Sequence, residues 1–221
     1  MIFAENISKS YKSKTEEVKA LLSINLDIPK GEMFGVIGPD GAGKTSLFRI
    51  LTTLLLADSG TASINGLDIV KEYAKIRQQI GYMPGRFSLY QDLTVEENLQ
   101  FFATIFNTSI EENYSLIKDI YEQIAPFKDR RAGQLSGGMK QKLALCCALI
   151  HKPAVLFLDE PTTGIDDHDA MVFTTLVNKI AEETNTAIIY VSHRKESGLT
   201  PNFIYELLAN ENGSTGKVIN H

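Results

Sequence analysis

The sequence predicts an α/β fold with a largely parallel core sheet, an antiparallel β-region at its start and a helical insertion in its middle. Two continuous apolar runs, Pro153-Ala154-Val155-Leu156-Phe157-Leu158 and Ala187-Ile188-Ile189-Tyr190-Val191, have strand length and no polar alternation, the pattern of parallel strands covered on both faces. Leu22, Ile24, Leu26 and Ile28 instead recur at period two, as in an antiparallel sheet with one wet face. Between residues 84 and 150 the apolar positions switch to three- and four-residue spacing, the period of helices.

With 221 residues, 43% hydrophobic and 22% charged, the chain is long enough for one large domain or two small ones around a packed core. The net charge of −5 argues against broad contact with DNA or RNA, which needs clustered Lys and Arg to neutralise phosphates, so no nucleic-acid partner is expected. The basic cluster Lys128-Asp129-Arg130-Arg131 is short and interrupted, and reads as a solvated helix end. The two cysteines, Cys146 and Cys147, are neighbours inside the apolar run Leu143 to Ile150. Adjacent helical positions point different ways, so a disulfide between them would be strained, and both read as small buried hydrophobes in a reducing cytoplasm. No apolar stretch reaches the roughly 20 residues that span a bilayer, and Met1-Ile2-Phe3-Ala4-Glu5 lacks signal-peptide character. Any membrane role is therefore expected to go through a partner.

In chain order, Ile2, Ala4 and Ile7 form a first strand, and the alternating run to Ile28 a second, with the polar insert Lys12-Ser13-Lys14-Thr15-Glu16-Glu17 between them. Tyr11 is placed in the loop after the first strand, as an aromatic able to stack on a nucleobase or as an ordinary edge tyrosine. Pro29-Lys30-Gly31-Glu32 turns the chain into the buried strand Met33-Phe34-Gly35-Val36-Ile37. There follows Gly38-Pro39-Asp40-Gly41-Ala42-Gly43-Lys44-Thr45, which fits the phosphate-binding loop G-x-x-x-x-G-K-[ST] at every fixed position. Glycines at 38, 41 and 43 let the backbone curl until successive N–H groups point inward as an anion nest. Lys44 supplies a point charge for β- and γ-phosphates, and the Thr45 hydroxyl is placed to ligate Mg²⁺. From Ser46 an amphipathic helix runs to Leu51 and aims its positive end at the phosphates. A nucleoside triphosphate with Mg²⁺ is the expected ligand.

Thr61-Ala62-Ser63-Ile64 reads as a short strand ending in the tight turn Asn65-Gly66. A helix from Tyr73 to Gln79 leads into the strand Ile80-Gly81-Tyr82-Met83. Thr94-Val95-Glu96-Glu97 is a capping box opening a helix with the apolar stripe Leu99, Phe102, Ile105 and Phe106, and Phe101 beside it. These aromatics read as core, with a partner-facing role for some of them as the alternative. The apolar run after Pro153 closes on Asp159 and Glu160, and the second buried strand closes on Ser192 and His193. Both thus end at the strand edge where ligands of open α/β sheets sit. Asp159 is the expected Mg²⁺ partner of the phosphate loop, and Glu160 the general base for a water attacking the γ-phosphate. Asp166-Asp167-His168-Asp169 crowds negative charge at the start of a helix running to about Glu183, which suits its dipole. Residues 210–216 form a turn before a terminal strand Lys217-Val218-Ile219.

The run Leu135-Ser136-Gly137-Gly138-Met139-Lys140-Gln141 is not required by any generic phosphate-loop enzyme, and it resembles the signature of ABC-type ATPases. Joined in order by Gly38 to Thr45, by Asp159-Glu160-Pro161-Thr162-Thr163-Gly164-Ile165-Asp166 and by His193, the resemblance covers nearly the whole chain. It implies a phosphate-loop ABC-ATPase fold with a mixed, RecA-like core sheet. Residues 1–84 and 151–221 would form the catalytic core and antiparallel β-subdomain, and residues 85–150 the helical subdomain bearing the signature. It also implies that Tyr11 stacks on adenine and that Glu160 is the base. Asp166 would act across a dimer and His193 would contact the γ-phosphate. Ser136, Gly137, Gly138 and the helix behind them would bind the γ-phosphate held by a second cassette. The stretch from Gly81 to Leu99 is further similar to bacterial multidrug-export ATPases, some of which carry two cassettes in one polypeptide. The function implied is ATP hydrolysis that drives a membrane-spanning transporter subunit from the inner face of the cell membrane.

Two positions depart from that pattern. Gly85 stands where the family usually has a glutamine touching Mg²⁺ and the attacking water, and cannot supply that amide. After His193, Arg194-Lys195-Glu196-Ser197-Gly198-Leu199-Thr200-Pro201 is more similar to the tail of molybdate-related soluble cassettes. Two other readings stand beside the transporter ATPase. One is a soluble ABC-type ATPase of DNA repair or translation, against which the missing coiled-coil insertion and basic face argue. The other is a degenerate cassette that binds ATP as a regulatory module, supported by Gly85 alone.

Overall fold

The computed structural model describes residues 1–12, 17–85, 89–193, 198–210 and 213–219. Residues 13–16 of the polar insert, Arg86-Phe87-Ser88 after Gly85, the run 194–197 behind His193, and residues 211 and 212 of the last turn lie outside them. Strand β1 (Ile2–Lys12) pairs antiparallel with β2 (Glu17–Ile28) and with β4 (Ser59–Ile64), and β5 (Leu67–Asp68) completes a four-stranded antiparallel sheet of order β2-β1-β4-β5. Ile2, Ala4, Ile7, Ile24, Leu26 and Ile28 face its buried side, but Leu22, expected to join them, is exposed and Leu21 is buried instead, because the register of the pair shifts there and Ser23 takes a left-handed φ of 51°. Tyr11 is not in a loop: β1 stays hydrogen-bonded through Lys12, and Tyr11 pairs with Val18 inside the sheet. The register explains this, because both strands continue past the last apolar position and so past the sequence signal.

The second sheet is mixed, of order β10-β9-β3-β8-β7-β6, from β3 (Met33–Ile37), β6 (Ile80–Met83), β7 (Val155–Asp159), β8 (Ala187–Ser192), β9 (Phe203–Leu208) and β10 (Thr215–Ile219). Strands β6, β7, β8, β3 and β9 run parallel, and β10 returns antiparallel on β9. The strand β9 begins on a short run of strand formers, Phe203-Ile204-Tyr205, that the sequence reading does not assign. Its burial is irregular, and what makes it a strand is long-range pairing with β3. Helix α1 (Lys44–Leu51) packs on this sheet, with Phe48 edge-on to Phe157 at 5.2 Å between ring centroids. The inner faces of both sheets share one core, in which Ile24 and Phe34 belong to the same cluster as Leu47 and Val191. Helix α2 (Tyr73–Arg77) leads into β6.

Between β6 and β7 come α3 (Val95–Ile105), α4 (Tyr114–Tyr121) and α5 (Gly137–Leu149), with 3₁₀ turns at Ala125–Phe127 and Ala132–Gln134. The capping box forms as the sequence predicts: Glu97 N–H donates to the Thr94 hydroxyl and Thr94 N–H to the Glu97 carboxylate. Of the predicted stripe, Leu99 is fully buried, whereas Ile105 is exposed on the far side of the last turn. The basic cluster 128–131 is solvated, but it joins the two 3₁₀ turns instead of ending an α-helix. Helix α5 is buried nearly all round because it lies between α3, α4, β6 and α6 (Asp167–Glu183). Cys146 and Cys147 are accordingly free, buried thiols, and burial pushes both thiol pKa values up. His151, just beyond α5, stacks on Phe106 at 3.7 Å, and one ring nitrogen faces the Ile80 carbonyl at 3.0 Å.

Candidate functional site

Strands β3, β8 and β7 are parallel neighbours, so their carboxyl ends deliver three loops to one edge of the sheet. Ile37 is in register with Ser192 and Asp159 with Val191, so Gly38, Glu160 and His193 emerge side by side. Around them lies a cavity of about 300 Å³, lined by Tyr11, Val18 and Ala20 from the antiparallel sheet, by residues 40–46, and by Glu160 and His193. The Tyr11 hydroxyl lies 2.9 Å from the Ser46 hydroxyl, tying β1 to the start of α1.

The loop itself is held open for an anion. Gly41 and Gly43 take φ values of 78° and 80°, and a Cβ on Gly43 would meet the Ala20 carbonyl oxygen at 2.5 Å. Gly43 also caps α1 without a side-chain acceptor, which leaves first-turn N–H groups for a ligand. Lys44 is only 5% exposed, and its Nζ donates to the carbonyls of Gly38 at 2.6 Å and Pro39 at 2.9 Å. Burial pulls its pKa below the ordinary lysine value, while Asp40, Glu160 and Asp159 partly oppose that by favouring the cation.

Asp159 ends β7 half-buried. Burial and then the neighbouring Glu160 charge raise its pKa, and the backbone N–H of Gly85 opposes this by donating to its carboxylate. Gly85 therefore touches this site through its backbone, although it has no amide to offer. Glu160 follows with φ of 48°, left-handed for a residue with a side chain, and its N–H donates to the Val191 carbonyl at 2.9 Å. One Glu160 oxygen lies 2.7 Å from His193 Nε2, and the other accepts from the Thr163 hydroxyl at 3.3 Å. His193 Nδ1 lies 2.7 Å from an Asp40 oxygen. Because carboxylates only accept, both contacts are hydrogen bonds when each ring nitrogen carries a proton.

Tyr11, Asp40, Gly41, Ala42, Gly43, Lys44, Thr45, Ser46, Glu160 and His193 are thus gathered at one cavity, with Gly38, Pro39 and Asp159 just behind it. Ser136, Gly137, Gly138 and Asp166 do not line it. The Ser136 hydroxyl caps α5 by accepting from Met139 N–H at 3.3 Å, and Asp166 caps α6 by accepting from Asp169 N–H at 2.9 Å. The two helix starts pack together: a Cβ on Gly138 would overlap the Asp169 carboxylate, and one on Gly137 would lie 3.1 Å from the Gly164 carbonyl. Lys142 reaches the same Asp169 at 3.4 Å. Three contributions escape sequence reasoning: the Asp40 side chain on His193, the Gly85 N–H on Asp159, and Val18 and Ala20 in the cavity wall. Only the order of strands in the sheets brings these residues together.

A phosphate loop at the carboxyl edge of a mixed sheet, with an acid pair and a histidine on the adjoining strands, defines a nucleotide-hydrolysing ATPase cassette. Residues 21–163 match the ABC transporter family. Over 199 residues the chain is 36% identical to the ABC transporter ATP-binding protein NatA of Bacillus subtilis, covering 89% of this chain and 80% of NatA. It is 42% identical over 166 residues to the probable multidrug ABC transporter ATP-binding protein YbhF of Escherichia coli, covering 74% of this chain but only 29% of YbhF. Among solved structures it resembles MJ0796, a bacterial ABC transporter cassette determined as a dimer, with a TM-score of 0.82, 28% identity and 93% and 94% of the two chains covered. The same cassette in a post-hydrolysis state bound to ADP and Pi fits equally well, with a TM-score of 0.82. The chain belongs to the ABC transporter family, and it is an ATP-binding, ATP-hydrolysing cassette of that family. Among the described residues, no helix is long and apolar enough to cross a membrane.

Proposed function

We propose that this chain hydrolyses ATP to drive export through a membrane-spanning partner subunit, working as one of two cassettes that close around nucleotide and reopen after hydrolysis. The observation that carries it is the convergence of Lys44, Glu160 and His193 on one cavity at the end of the phosphate loop. ATP is held by the loop N–H groups and Lys44, with Tyr11 and Val18 available to its base. Glu160 accepts a proton from the attacking water as the water oxygen bonds to the γ-phosphorus and the bond to ADP breaks, and His193 contacts the departing phosphate. The Thr45 hydroxyl and the Asp159 carboxylate fit Mg²⁺. Both are hard oxygen donors of the kind Mg²⁺ takes alongside substrate phosphates. Mg²⁺ held there would supply charge neutralisation for the triphosphate.

Ser136, Gly137, Gly138 and Asp166 we assign to the active site of the second cassette, identical or not, since they lie outside the cavity of their own chain. The dimeric form of MJ0796 supports this arrangement. Residues 85–150 act as a helical subdomain between two parts of the core, 1–84 and 151–221. An open apolar cavity of about 250 Å³ between sheet and helices, lined by Leu54, Tyr82, Phe102, Phe106 and His151, supports docking of the membrane partner there. Such docking would hold the cassette on the cytoplasmic face of the membrane. The multidrug name of YbhF favours export.

The test is Glu160→Gln. ATP binding should stay near the parent level while turnover falls by about 10² or more, the span of a lost general base. Turnover at the parent rate would remove Glu160 from that role.

A further inference from the structure

Asp40 sits on the rim of a cavity built to take a triphosphate, and its carboxylate works against that ligand unless it has another duty. Its side chain is 87% exposed and reaches His193 at the cavity rim. The contact follows from strand order: β3 and β8 are adjacent and parallel, so the loop leaving Ile37 and the residue after Ser192 meet. Asp40 accepts from Nδ1 at 2.7 Å, and the opposite nitrogen, Nε2, is then turned onto Glu160 at 2.7 Å.

We propose that Asp40 is a positioning residue for the ATPase reaction, one that holds His193 through Nδ1 and sets the angle of the ring, and so presents Nε2 to Glu160 and the phosphate. This rests on the roles given above to His193 and Glu160. An imidazole held by a carboxylate at one nitrogen keeps one rotamer, whereas a free ring samples several. Asp40 needs no contact with substrate to act in this way. Removing its carboxylate takes a like charge away from the triphosphate, so ATP binding should not weaken without it.

The experiment is a double-mutant cycle on the full chain with ATP, read as kcat and KM under single-turnover and steady-state conditions. Asp40→Ala should lower kcat by about tenfold, the lower end of what loss of an orienting hydrogen bond costs, with KM for ATP unchanged or reduced. Asp40→Asn, whose carbonyl still accepts from Nδ1–H, should recover most of that loss. In a His193→Ala background Asp40→Ala should add less than about twofold, because its effect runs through the ring. Side-chain coupling constants of the nucleotide-free protein should show His193 in one χ1 rotamer in the parent and in Asp40→Asn, and averaged over several in Asp40→Ala. Parent kcat in Asp40→Ala, or an equal loss in both backgrounds, would overturn the proposal while leaving the site reading intact. Parent turnover in His193→Ala would overturn the site reading and this proposal with it.

Discussion

Replacing Lys44 by Met separates what the phosphate loop owes to fold from what it owes to ligand. The methionine keeps an unbranched apolar stem of similar length and removes only the charge and its donors. In the nucleotide-free chain Lys44 Nζ holds two neutral carbonyls, those of Gly38 and Pro39. Binding a triphosphate exchanges these for charged phosphate oxygens. The bonds to the carbonyls already have an ionised donor, so what the phosphate adds is the attraction of opposite charges at about 4 Å, about 1–4 kcal/mol between the bulk-water and near-surface limits, or roughly 5- to 700-fold in Kd. Stability should respond differently. Burial lowers the Lys44 pKa, which means that the folded state carries a penalty for the cation. That penalty is full at pH values below the lowered pKa and is relieved as pH rises toward the ordinary 10.5. Met removes the penalty but leaves two carbonyls without their donor, which water in the cavity can satisfy. The two effects oppose each other, so the net change in stability should be small, and each 1 kcal/mol would appear as about 2–4 °C in Tm for a chain of this size. Isothermal titration with ATP and thermal melts of both proteins test this, the parent alone gaining stability in alkaline buffer. A Kd within about threefold of the parent would refute the charge argument. A melting drop of about 10 °C would show Lys44 to be structural instead.

Ser136→Arg should cost the α5 cap, about 1 kcal/mol, and leave nucleotide binding to the isolated chain intact while abolishing hydrolysis. Mixed with an inactive Lys44→Ala chain it should regain partial activity, because one intact composite site survives per mixed dimer. No recovery, together with a rate per chain that stays flat as scattering shows monomers becoming dimers, would defeat the two-chain site. Gly85→Gln brings a Cβ to 3.0 Å from the Asp159 backbone carbonyl, a tight contact that has to give by a few tenths of an ångström. ATP affinity should hold while turnover, or its stimulation by the membrane partner, rises, and equal turnover of both proteins would show the glutamine amide to be unnecessary here. Burial lowers the His151 pKa from 6.5 to about 4, so the unfolded chain binds the extra proton between those values and stability falls on acidification through that window. The loss approaches about 3 kcal/mol. Urea melts at pH 7 and pH 4.5 should show His151→Phe with a smaller loss than the parent, and identical slopes would reject the assignment.

Where local pattern and global fold ask the same of a residue, the sequence suffices. The glycines of residues 38–43, the capping box at Thr94 and the buried runs of β7 and β8 are each dictated within a few positions of themselves, and each stands where its pattern places it. What escaped depends on partners far along the chain. Phe203 to Leu208 are fixed as a strand by the edge that β3 offers, and Tyr11 stays in a strand because Val18 pairs with it. The bond from His193 to Asp40 spans two loops that only the sheet order makes neighbours. Ser136 and Asp166 show the converse: their types suit a helix cap as well as a phosphate contact, and in this structure each serves its own helix.

The left-handed backbone at Glu160 has an evolutionary consequence. A residue with a side chain at φ of 48° holds a conformation that glycine adopts freely and asparagine tolerates, and that costs other residues about 1 kcal/mol. Its carboxylate also raises the protonation tendency of Asp159 next door. Loss of the glutamate in favour of glycine or asparagine therefore relaxes the backbone and the field at Asp159, at the expense of its contacts to His193 and Thr163 and its support of the Lys44 cation, while the core stays untouched. On the role proposed for Glu160, drift toward a nucleotide-holding, non-hydrolysing relative relieves backbone strain, and selection for turnover holds the position against it.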